Sequence, residues 1–541
     1  MTWERPAYAL ALAALVALGF FWLPGHTYLQ SDTQIYIPIL ERFRDPSLYP
    51  HDPVAQRHHV TYTIYDEAAL ALRWLTGAES FQPVLTAQQL ATRYCGALGA
   101  FLTGRAFGLA GPQALLVAAI YSLGASVMGP AVLTIEYEPV PRGFAFGLLV
   151  LATGLAAQGW RRGAAVAAGL AILYHPPTAL PFLAGFAVIL WRERDARPAW
   201  ILSGFVAALF AFSRFQIGAA ERHDLFATIS PEMEPVLRLR GSYVWVSLWA
   251  QRWLPHYLFL WVFSAAAWWR WRKEPAAPRI LLAVHATFGL VSMGVSLGLL
   301  EGLRWQLTTA LQPARAAAFL TLAAILWSAC GGLLAASRGR WWEGALWLMP
   351  GFAAILSHDS LALLVPRLSD PVTLKRVVLM LAFALACAAA ASKWRGSVPC
   401  AAAAAIAPFL LIPTWGEVRN YPQLDWAPVD ELAAWAREST PKDAVFLFPD
   451  SAREPYPSIF RAKALRSVYV DWKGGGQVNL VRGFGEEWSR RWRLVNEQPL
   501  GPERFPALAA EGVKWLVTRD ALPGYEPSWS NRRYFVYELR P

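Results

Sequence analysis

Carboxylates in two polar segments of this largely apolar chain are candidates for chemistry. Asp32 lies in the first segment, and Glu136 and Glu138 lie two residues apart in the second. Two carboxylates at that spacing on an extended backbone point the same way, so they can share a divalent cation such as Mg²⁺ or Mn²⁺, or hold an incoming hydroxyl. A solvated turn explains the Glu136 and Glu138 pair nearly as well.

Basic groups that suit a phosphate occur in other polar segments. Arg142, Arg304 and Arg315 carry the planar fork that matches phosphate oxygens, and His175 can donate a hydrogen bond to the same group. Each has an alternative reading. Arginines at the ends of membrane spans often extend to the interface, and a histidine before Pro176 and Pro177 can satisfy carbonyls that a broken helix leaves free.

The composition indicates a membrane protein. Of the 541 residues, 55% are hydrophobic and only 16% are charged, which is too apolar for a soluble chain. The net charge of +11 does not indicate nucleic acid, because the basic residues sit in short loops between apolar runs and not on one basic face.

The apolar runs predict a polytopic α-helical membrane protein. With roughly 20 apolar residues needed per span, we expect about thirteen spans. They lie near residues 6–24, 88–108, 113–130, 143–160, 164–175, 177–191, 198–213, 256–271, 279–300, 316–336, 344–365, 375–392 and 398–415.

The segment 164–191 decides the topology, because it is either one helix or two helices broken at His175. Two segments place nearly all short-loop Arg and Lys on one side, and the two prolines also favour a break. The N-terminus is then cytoplasmic, and the outer segments are 25–87, 131–142, 214–255, 301–315 and the tail. Polar residues converge on that outer side: Asp32, Glu136, Glu138, His175, Glu301, Arg304, Gln312 and Arg315. Such residues at a bilayer edge are costly unless they line a site.

Two units follow from this organisation. Residues 1–415 form the transmembrane unit, and its first outer loop, 25–87, carries amphipathic patterns at Thr33–Arg44 and 61–75 that predict helices lying on the membrane. Asp32 precedes the first of them, so Ser31 or Asp32 can be its N-cap, a role that does not exclude a catalytic carboxylate. Residues 416–541 are predicted to form a small soluble α/β domain.

The tail prediction rests on alternating patterns. Apolar runs at 444–448, 467–470, 513–517 and 534–537 predict strands, and 428–438, 485–495 and 503–511 predict helices between them.

These features resemble the GT-C superfamily of integral-membrane glycosyltransferases. The shared features are Asp32 in a first outer loop with two helices, the acidic pair in the second outer loop, and a soluble domain after the last span. The resemblance implies a polyprenyl-phosphate sugar donor and a bacterial inner (plasma) membrane location, with membrane lipids around the chain. It also implies that Asp32 is the catalytic base or a metal ligand, with Glu136 and Glu138 as the second acidic motif and Glu138 sharing the divalent cation.

The remaining roles follow from the chemistry of such a donor. Departing phosphate charge must be neutralised, which suits Arg304, Arg315, His175 and Arg142, while Glu301 and Gln312 are candidate substrate-binding residues. The competing classes are a transporter or lipid or glycan flippase, which also uses broken helices, and a sensor or assembly scaffold. A cavity at the outer face that opens sideways to lipid favours transfer, whereas a central two-sided cavity favours transport.

Two other motifs are assigned no role. Lys473-Gly474-Gly475-Gly476 is not a phosphate loop, because the lysine precedes the glycines, and a flexible turn is expected. His51-Asp52 and His58-His59 are expected to be exposed loop residues.

Overall fold

The chain is a multi-pass helical membrane protein. The computed structural model describes residues 4–60, 63–216, 225–365, 370–392, 398–479, 483–497 and 501–539. Within these ranges, four helical segments are long and apolar enough to cross a membrane by length and composition: Arg197–Gln216, Ala276–Gly302, Leu307–Ser337 and Pro371–Ala391. The larger count of about thirteen spans stays a prediction.

The first part of the chain forms membrane helices with two helices in the first outer loop. Its elements are α1 (Glu4–Phe21), α2 (Thr33–Arg44), α3 (Tyr65–Thr76), α4 (Phe81–Ala106), α5 (Gly111–Ser122), β1 (Ser126–Val127), β2 (Val132–Leu133), α6 (Pro141–Ala157), α7 (Arg161–Tyr174), α8 (Pro176–Glu193) and α9 (Arg197–Gln216). The predicted break is confirmed, because α7 and α8 are separate helices that meet at His175.

The second part surrounds a central helix. Its elements are α10 (Glu234–Arg240), α11 (Trp253–Arg270), α12 (Ala276–Ser296), a π-helical turn (Leu297–Gly302), α13 (Leu307–Leu311), α14 (Ala317–Ser337), α15 (Trp341–Leu356), α16 (Ser360–Leu364), α17 (Pro371–Ala391) and α18 (Val398–Thr414). Every residue of α14 from Ala317 to Ala336 is buried, so this helix is the core around which the others pack.

Small residues set the closest helix contact, between α4 and α6. A Cβ atom on Gly99 would lie 2.1 Å from the carbonyl oxygen of Val150, and one on Gly154 would lie 2.3 Å from the carbonyl oxygen of Gly99. Glycine at both positions lets the two backbones touch, which is the usual way that membrane helices gain contact area. This crossing fixes the start of α6, where Arg142 lies.

The tail forms an α/β unit. Its elements are α19 (Ala427–Ser439), β3 (Val445–Leu447), α20 (Tyr456–Ala464), β4 (Ser467–Val468), α21 (Phe484–Asn496), α22 (Phe505–Ala510), β5 (Trp515–Thr518), β6 (Trp529–Ser530) and β7 (Phe535–Glu538). The strands form one sheet in the order β4-β3-β5-β7-β6, with β3 parallel to both neighbours and β7 antiparallel to both. Each predicted strand and helix of the tail is present; α20 and β6 were not predicted.

The helix α2 packs against the C-terminal unit, and its predicted position along the membrane surface stays a prediction. Its residues Ile35, Ile37, Ile39 and Leu40 are buried in one hydrophobic cluster with Ile459 of α20. The C-terminal unit therefore covers the apolar face of α2. An amphipathic pattern alone cannot tell whether such a face packs against protein or against lipid. This packing puts the C-terminal unit directly above Asp32.

Candidate active site

One polar chamber of about 600 Å³ is lined by residues from all five of the predicted outer segments. They contribute residues of the first outer loop, the turn 131–142, the segment around α10, the segment 307–315 and the tail. The titratable groups that line the chamber include Asp32, Arg57, Arg142, His175, Arg240, Arg315 and Lys473. The lining thus brings one carboxylate together with several cations, which makes the chamber suited to an anion.

Asp32 is held between two cations. Its Oδ1 accepts a hydrogen bond of 2.7 Å from Lys473 Nζ, and its Oδ2 accepts one from Arg142. Burial opposes ionisation, but the charges of Lys473 and Arg142 outweigh it and hold the pKa of the Asp32 carboxyl well below its ordinary value. Although Asp32 occupies the N-cap position of α2, its side chain makes no capping bond, so the cap-only interpretation is wrong.

Glu138 supports the loop that carries Asp32. Its carboxylate is buried and accepts backbone N–H bonds from Gln30, from Ser31 at 2.7 Å and from Thr33 at 3.1 Å. Burial raises the pKa of Glu138, and these three N–H donors offset part of that rise. Glu138 does not line the chamber, so its contacts are those of a positioning residue and not of a group that touches a substrate.

Glu136 orients Arg142. Its Oε1 accepts a bond of 2.7 Å from Arg142 Nε, and its backbone carbonyl accepts a bond of 2.7 Å from the buried Arg93. Arg142 therefore bridges Glu136 and Asp32, and its direction is fixed from both sides. The two glutamates point to different partners, so in this geometry they do not converge on one ligand.

A second, apolar chamber of about 290 Å³ adjoins the polar one. Its lining is formed mainly by α8, α12 and the start of α14. Leu180, Val291 and Val295 line it and are also 48%, 55% and 41% exposed, so this chamber opens at the apolar side of the helix bundle. A side opening of this kind faces lipid in a membrane.

The polar side chains at the junction belong to both chambers. Arg142, His175, Gln312 and Arg315 line both. Arg315 lies over the ring of Tyr243 at 4.7 Å, and its Nε is buried without a hydrogen-bond partner among the described residues. His175 Nδ1 is 2.8 Å from the hydroxyl of Thr178. Within the described ranges, Arg315 thus forms no ion pair, although the charges of Asp32 and Glu136 act on it.

Two predicted site residues lie elsewhere. Arg304 is 53% exposed at its side chain and pairs with Glu234 at 3.2 Å, and Glu301 accepts a bond of 3.0 Å from the backbone of Ser247. Neither lines the two chambers. Glu301 belongs to the π-helical turn that follows α12, and Arg304 lies between this turn and α13, which leads to Gln312. The structure therefore does not bring Glu301 and Arg304 together with the other predicted site residues.

The sequence analysis missed Lys473. It lies before a 3-10 helix, Gly474–Asn479, and contacts Asp32, so the flexible-turn interpretation is wrong. The chain offered one signal, a lysine two residues after an acidic residue in Asp471-Trp472-Lys473, followed by three glycines that permit close packing. Its pairing with a residue more than four hundred positions earlier has no local signature.

A buried ion cluster fixes the position of Lys473. Arg461 Nε donates to Asp52 at 2.6 Å, and its Nη2 donates to Asp471, which also accepts bonds from Ser458 and from Gly474 N. The side chains of Arg461, Asp52 and Asp471 are at most 1% exposed. Asp52 and His59 are thus buried and not exposed as expected, while His51 and His58 are exposed.

The residues around Asp32 and Glu138 are poorly suited to hold the predicted divalent cation. Both Asp32 oxygens already pair with cations, and the Glu138 oxygens bind backbone N–H groups. Within the described ranges, no group of three or more His, Cys, Asp or Glu side chains gathers as a ligand set. The cation stays a prediction, and no chemical step below depends on it.

Comparisons with known proteins give distant similarities. Residues 427–495 match the model of a domain of unknown function, DUF6798. The chain is similar to ArnT from Cupriavidus metallidurans bound to undecaprenyl phosphate, with 14% identity, a TM-score of 0.46, and coverage of 99% of this chain and 98% of that chain. It is also similar to the Archaeoglobus fulgidus oligosaccharyltransferase, with 14% identity, a TM-score of 0.36, and coverage of 94% and 68%.

No curated protein matches the sequence of the chain. At these identities and TM-scores, the similarities assign no activity or substrate to this chain.

Proposed function

We propose that the chain is a GT-C-type membrane glycosyltransferase that moves a sugar from a polyprenyl-phosphate carrier to an acceptor in the polar chamber. The observation that carries this proposal is the junction of the two chambers. An apolar space that opens to lipid meets a cationic space that contains Asp32, and Arg142, Gln312 and Arg315 stand at the boundary. An isoprenoid chain with a phosphate at its end has the same division between apolar and anionic parts.

The carrier phosphate is proposed to bind at the junction. Arg315 has no described carboxylate partner, and a buried guanidinium gains most from a ligand that supplies paired oxygen acceptors. His175 and Gln312 lie in the same lining and can donate further hydrogen bonds. The isoprenoid chain would extend past Val291 and Val295 into the bilayer.

Asp32 is proposed to act as the base. The acceptor hydroxyl oxygen forms a bond to the anomeric carbon, the bond from that carbon to the phosphate oxygen breaks, and the carrier phosphate leaves with the electron pair. The hydroxyl proton passes to the Asp32 carboxylate. Because Arg142 lines both chambers, a phosphate at the junction competes with Asp32 for this guanidinium, which raises the pKa of Asp32 and improves it as a base.

The geometry favours transfer over transport. The cavity that joins Asp32 and Arg315 lies among the outer loops and opens sideways, which is the arrangement expected for transfer. Glu138, expected in the same cavity, lies outside its lining and acts on the Asp32 loop. A carboxylate held between two cations beside an apolar chamber suits a transferase, and a sensor or scaffold does not require this arrangement.

Sidedness is also proposed. The excess of basic residues in the predicted inner loops supports a cytoplasmic N-terminus, which puts the unit 416–541 on the outer face of a bacterial inner membrane. A reporter that is active only in the cytoplasm should stay inactive when it is fused after the tail. Activity of that reporter contradicts the proposed orientation.

The direct test is carrier consumption. Purified chain in lipid nanodiscs is incubated with polyprenyl-phosphate sugars, and free carrier phosphate is measured over time. We expect release that depends on Asp32 and increases with an added acceptor. Binding of carrier without any Asp32-dependent release, across the donors tested, contradicts the transferase proposal and favours a flippase.

A further inference from the structure

A buried arginine in the polar chamber plays no part in the proposed reaction. Arg240, the last residue of α10, is 8% exposed and lines the polar chamber but not the apolar one. Its Nε is buried without a hydrogen-bond partner, and the described residues give its guanidinium no ion pair. Arg240 is therefore a second uncompensated cation, away from the junction where Arg315 lies.

The protein builds a specific place for this guanidinium. It lies over the ring of Trp472 at 3.8 Å and near that of Trp488 at 5.6 Å. A Cβ atom on Gly475 would lie 2.6 Å from Arg240 Nε and 2.4 Å from the Trp488 ring. Glycine at position 475 thus leaves the room in which Arg240, at the end of α10, packs against the tail.

The surrounding groups do not neutralise Arg240. Burial lowers its pKa to about 10, and Asp471 is the carboxylate that acts on its charge. The Asp471 oxygens, however, are already bound by Arg461, Ser458 and Gly474. A desolvated cation with vacant donors is costly unless a ligand supplies acceptors.

We propose that Arg240 forms a second oxyanion subsite of the polar chamber, in the same lining as Arg57, whose guanidinium donates to Gln477 Oε1. The proposal rests on the proposed function and adds to it the substrate class. Besides the phosphate at Arg315, the reacting molecules carry another phosphate or carboxylate. That group belongs either to a diphosphate carrier or to an anionic acceptor, and both sources present the same chemistry to Arg240.

Two binding experiments distinguish the sources. In the first, affinities of the purified chain in nanodiscs are measured for undecaprenyl phosphate and undecaprenyl diphosphate. In the second, glucose 6-phosphate is compared with glucose, with and without saturating undecaprenyl phosphate. Each pair differs by one phosphate, so the ratio of the two affinities isolates the contribution of the second oxyanion.

We expect one of the two pairs to show a preference for the additional phosphate. Arg240→Met should reduce that preference at least about tenfold, and Arg240→Lys should retain part of it. Arg238→Met is the matched control, because Arg238 lies on the same helix but pairs with Glu234 and covers Trp245. It should leave the preference unchanged.

Two results overturn the subsite. One is the absence of any preference for the additional phosphate in the unmodified chain, and the other is a preference that Arg240→Met leaves intact. If Arg240→Met also lowers affinity for undecaprenyl phosphate, Arg240→Lys decides. Restored carrier binding with a partly restored preference supports the subsite, whereas equal losses of affinity for both members of a pair make Arg240 structural only. Failure of the carrier to bind refutes the proposed donor instead, and glucose 6-phosphate without carrier still tests Arg240.

Discussion

Two ion clusters, one around Arg461 and one around Arg142, contain the same chemical groups but differ in their surroundings. In the first, Arg461 joins Asp52 and Asp471, and the side chains are at most 1% exposed. In the second, Arg142 joins Asp32 and Glu136, and Asp32 is 21% exposed and faces the polar chamber. Only the second has space beside its charges for another molecule.

The difference separates a structural cluster from a chemical one. Both oxygens of Asp52 and of Asp471 accept hydrogen bonds from the protein, four of these bonds coming from backbone N–H groups. Within the described ranges, the Asp32 carboxylate accepts its bonds from side chains, those of Lys473 and Arg142, and it faces the polar chamber. A carboxylate held by backbone groups in a closed core is fixed in place, whereas a ligand in an adjoining chamber can compete for the side-chain cations that hold Asp32.

Substitution of Asp32 should give the largest effect on activity. Asp32→Asn keeps the size of the side chain but removes the charge that takes a proton, so we expect sugar transfer to fall by about 10²–10⁴. Because the side chain makes no cap, Asp32→Asn and Asp32→Ala should both accumulate in the membrane at nearly normal levels. Transfer rate and protein level are measured for both variants, and an active Asp32→Asn protein removes the catalytic assignment.

Substitution in the buried Arg461 cluster should lower the stability of the fold. Arg461→Met leaves Asp52 and Asp471 buried without their cation, and removal of one member of such a cluster costs about 3–5 kcal/mol. The thermal unfolding midpoint in detergent measures the loss. Arg490→Met is the control, because its partners Glu487 and Glu511 are at the surface and such pairs contribute roughly 0–1 kcal/mol. Equal midpoints for both variants contradict the comparison.

The contrast also explains what the sequence could predict. Local sequence patterns predict the helices, the break at His175 and the strands of the tail, because each of them depends on neighbouring residues. Asp32, Arg142 and Arg315 were found because charged residues are rare in apolar sequence. Lys473 and Arg240 were missed, because they reach the polar chamber only when the C-terminal unit packs over α2. That contact joins distant parts of the chain and has no local pattern.

The proposed phosphate position at the junction, beside the Arg142 cluster, is tested by two arginines outside both clusters. Arg315→Ala should weaken binding of undecaprenyl phosphate by about 1.5–3 kcal/mol, the range for a hydrogen bond to a charged group. Arg315→Lys should recover part of the loss. Arg304→Ala should leave the affinity unchanged, because Arg304 pairs with Glu234 outside both chambers. Equal losses for Arg315 and Arg304 contradict the placement of the phosphate at the junction.

The smallest change concerns pH and tests whether Lys473 acts through Asp32. Lys473 helps to hold the pKa of Asp32 below its ordinary value, so the base stays ionised and transfer persists far into acid. Lys473→Met removes one of the two cations and lets the pKa of Asp32 rise. The acid limb of the rate profile, where activity falls as Asp32 takes a proton, should therefore move to higher pH, and Lys473→Arg should move it less.

A matched lysine separates this electrostatic effect from a packing effect. Lys463 lies on α20 of the same unit, where it pairs with Asp430 and covers Trp426. Lys463→Met should leave the profile in place, since its charge does not reach Asp32. If Lys473→Met lowers the rate equally at every pH, Lys473 only closes the chamber. A shift of the acid limb in Lys473→Met and not in Lys463→Met shows instead that the charge of Lys473 sets the pKa of Asp32. A residue of the C-terminal unit then controls the protonation of the base in the first outer loop.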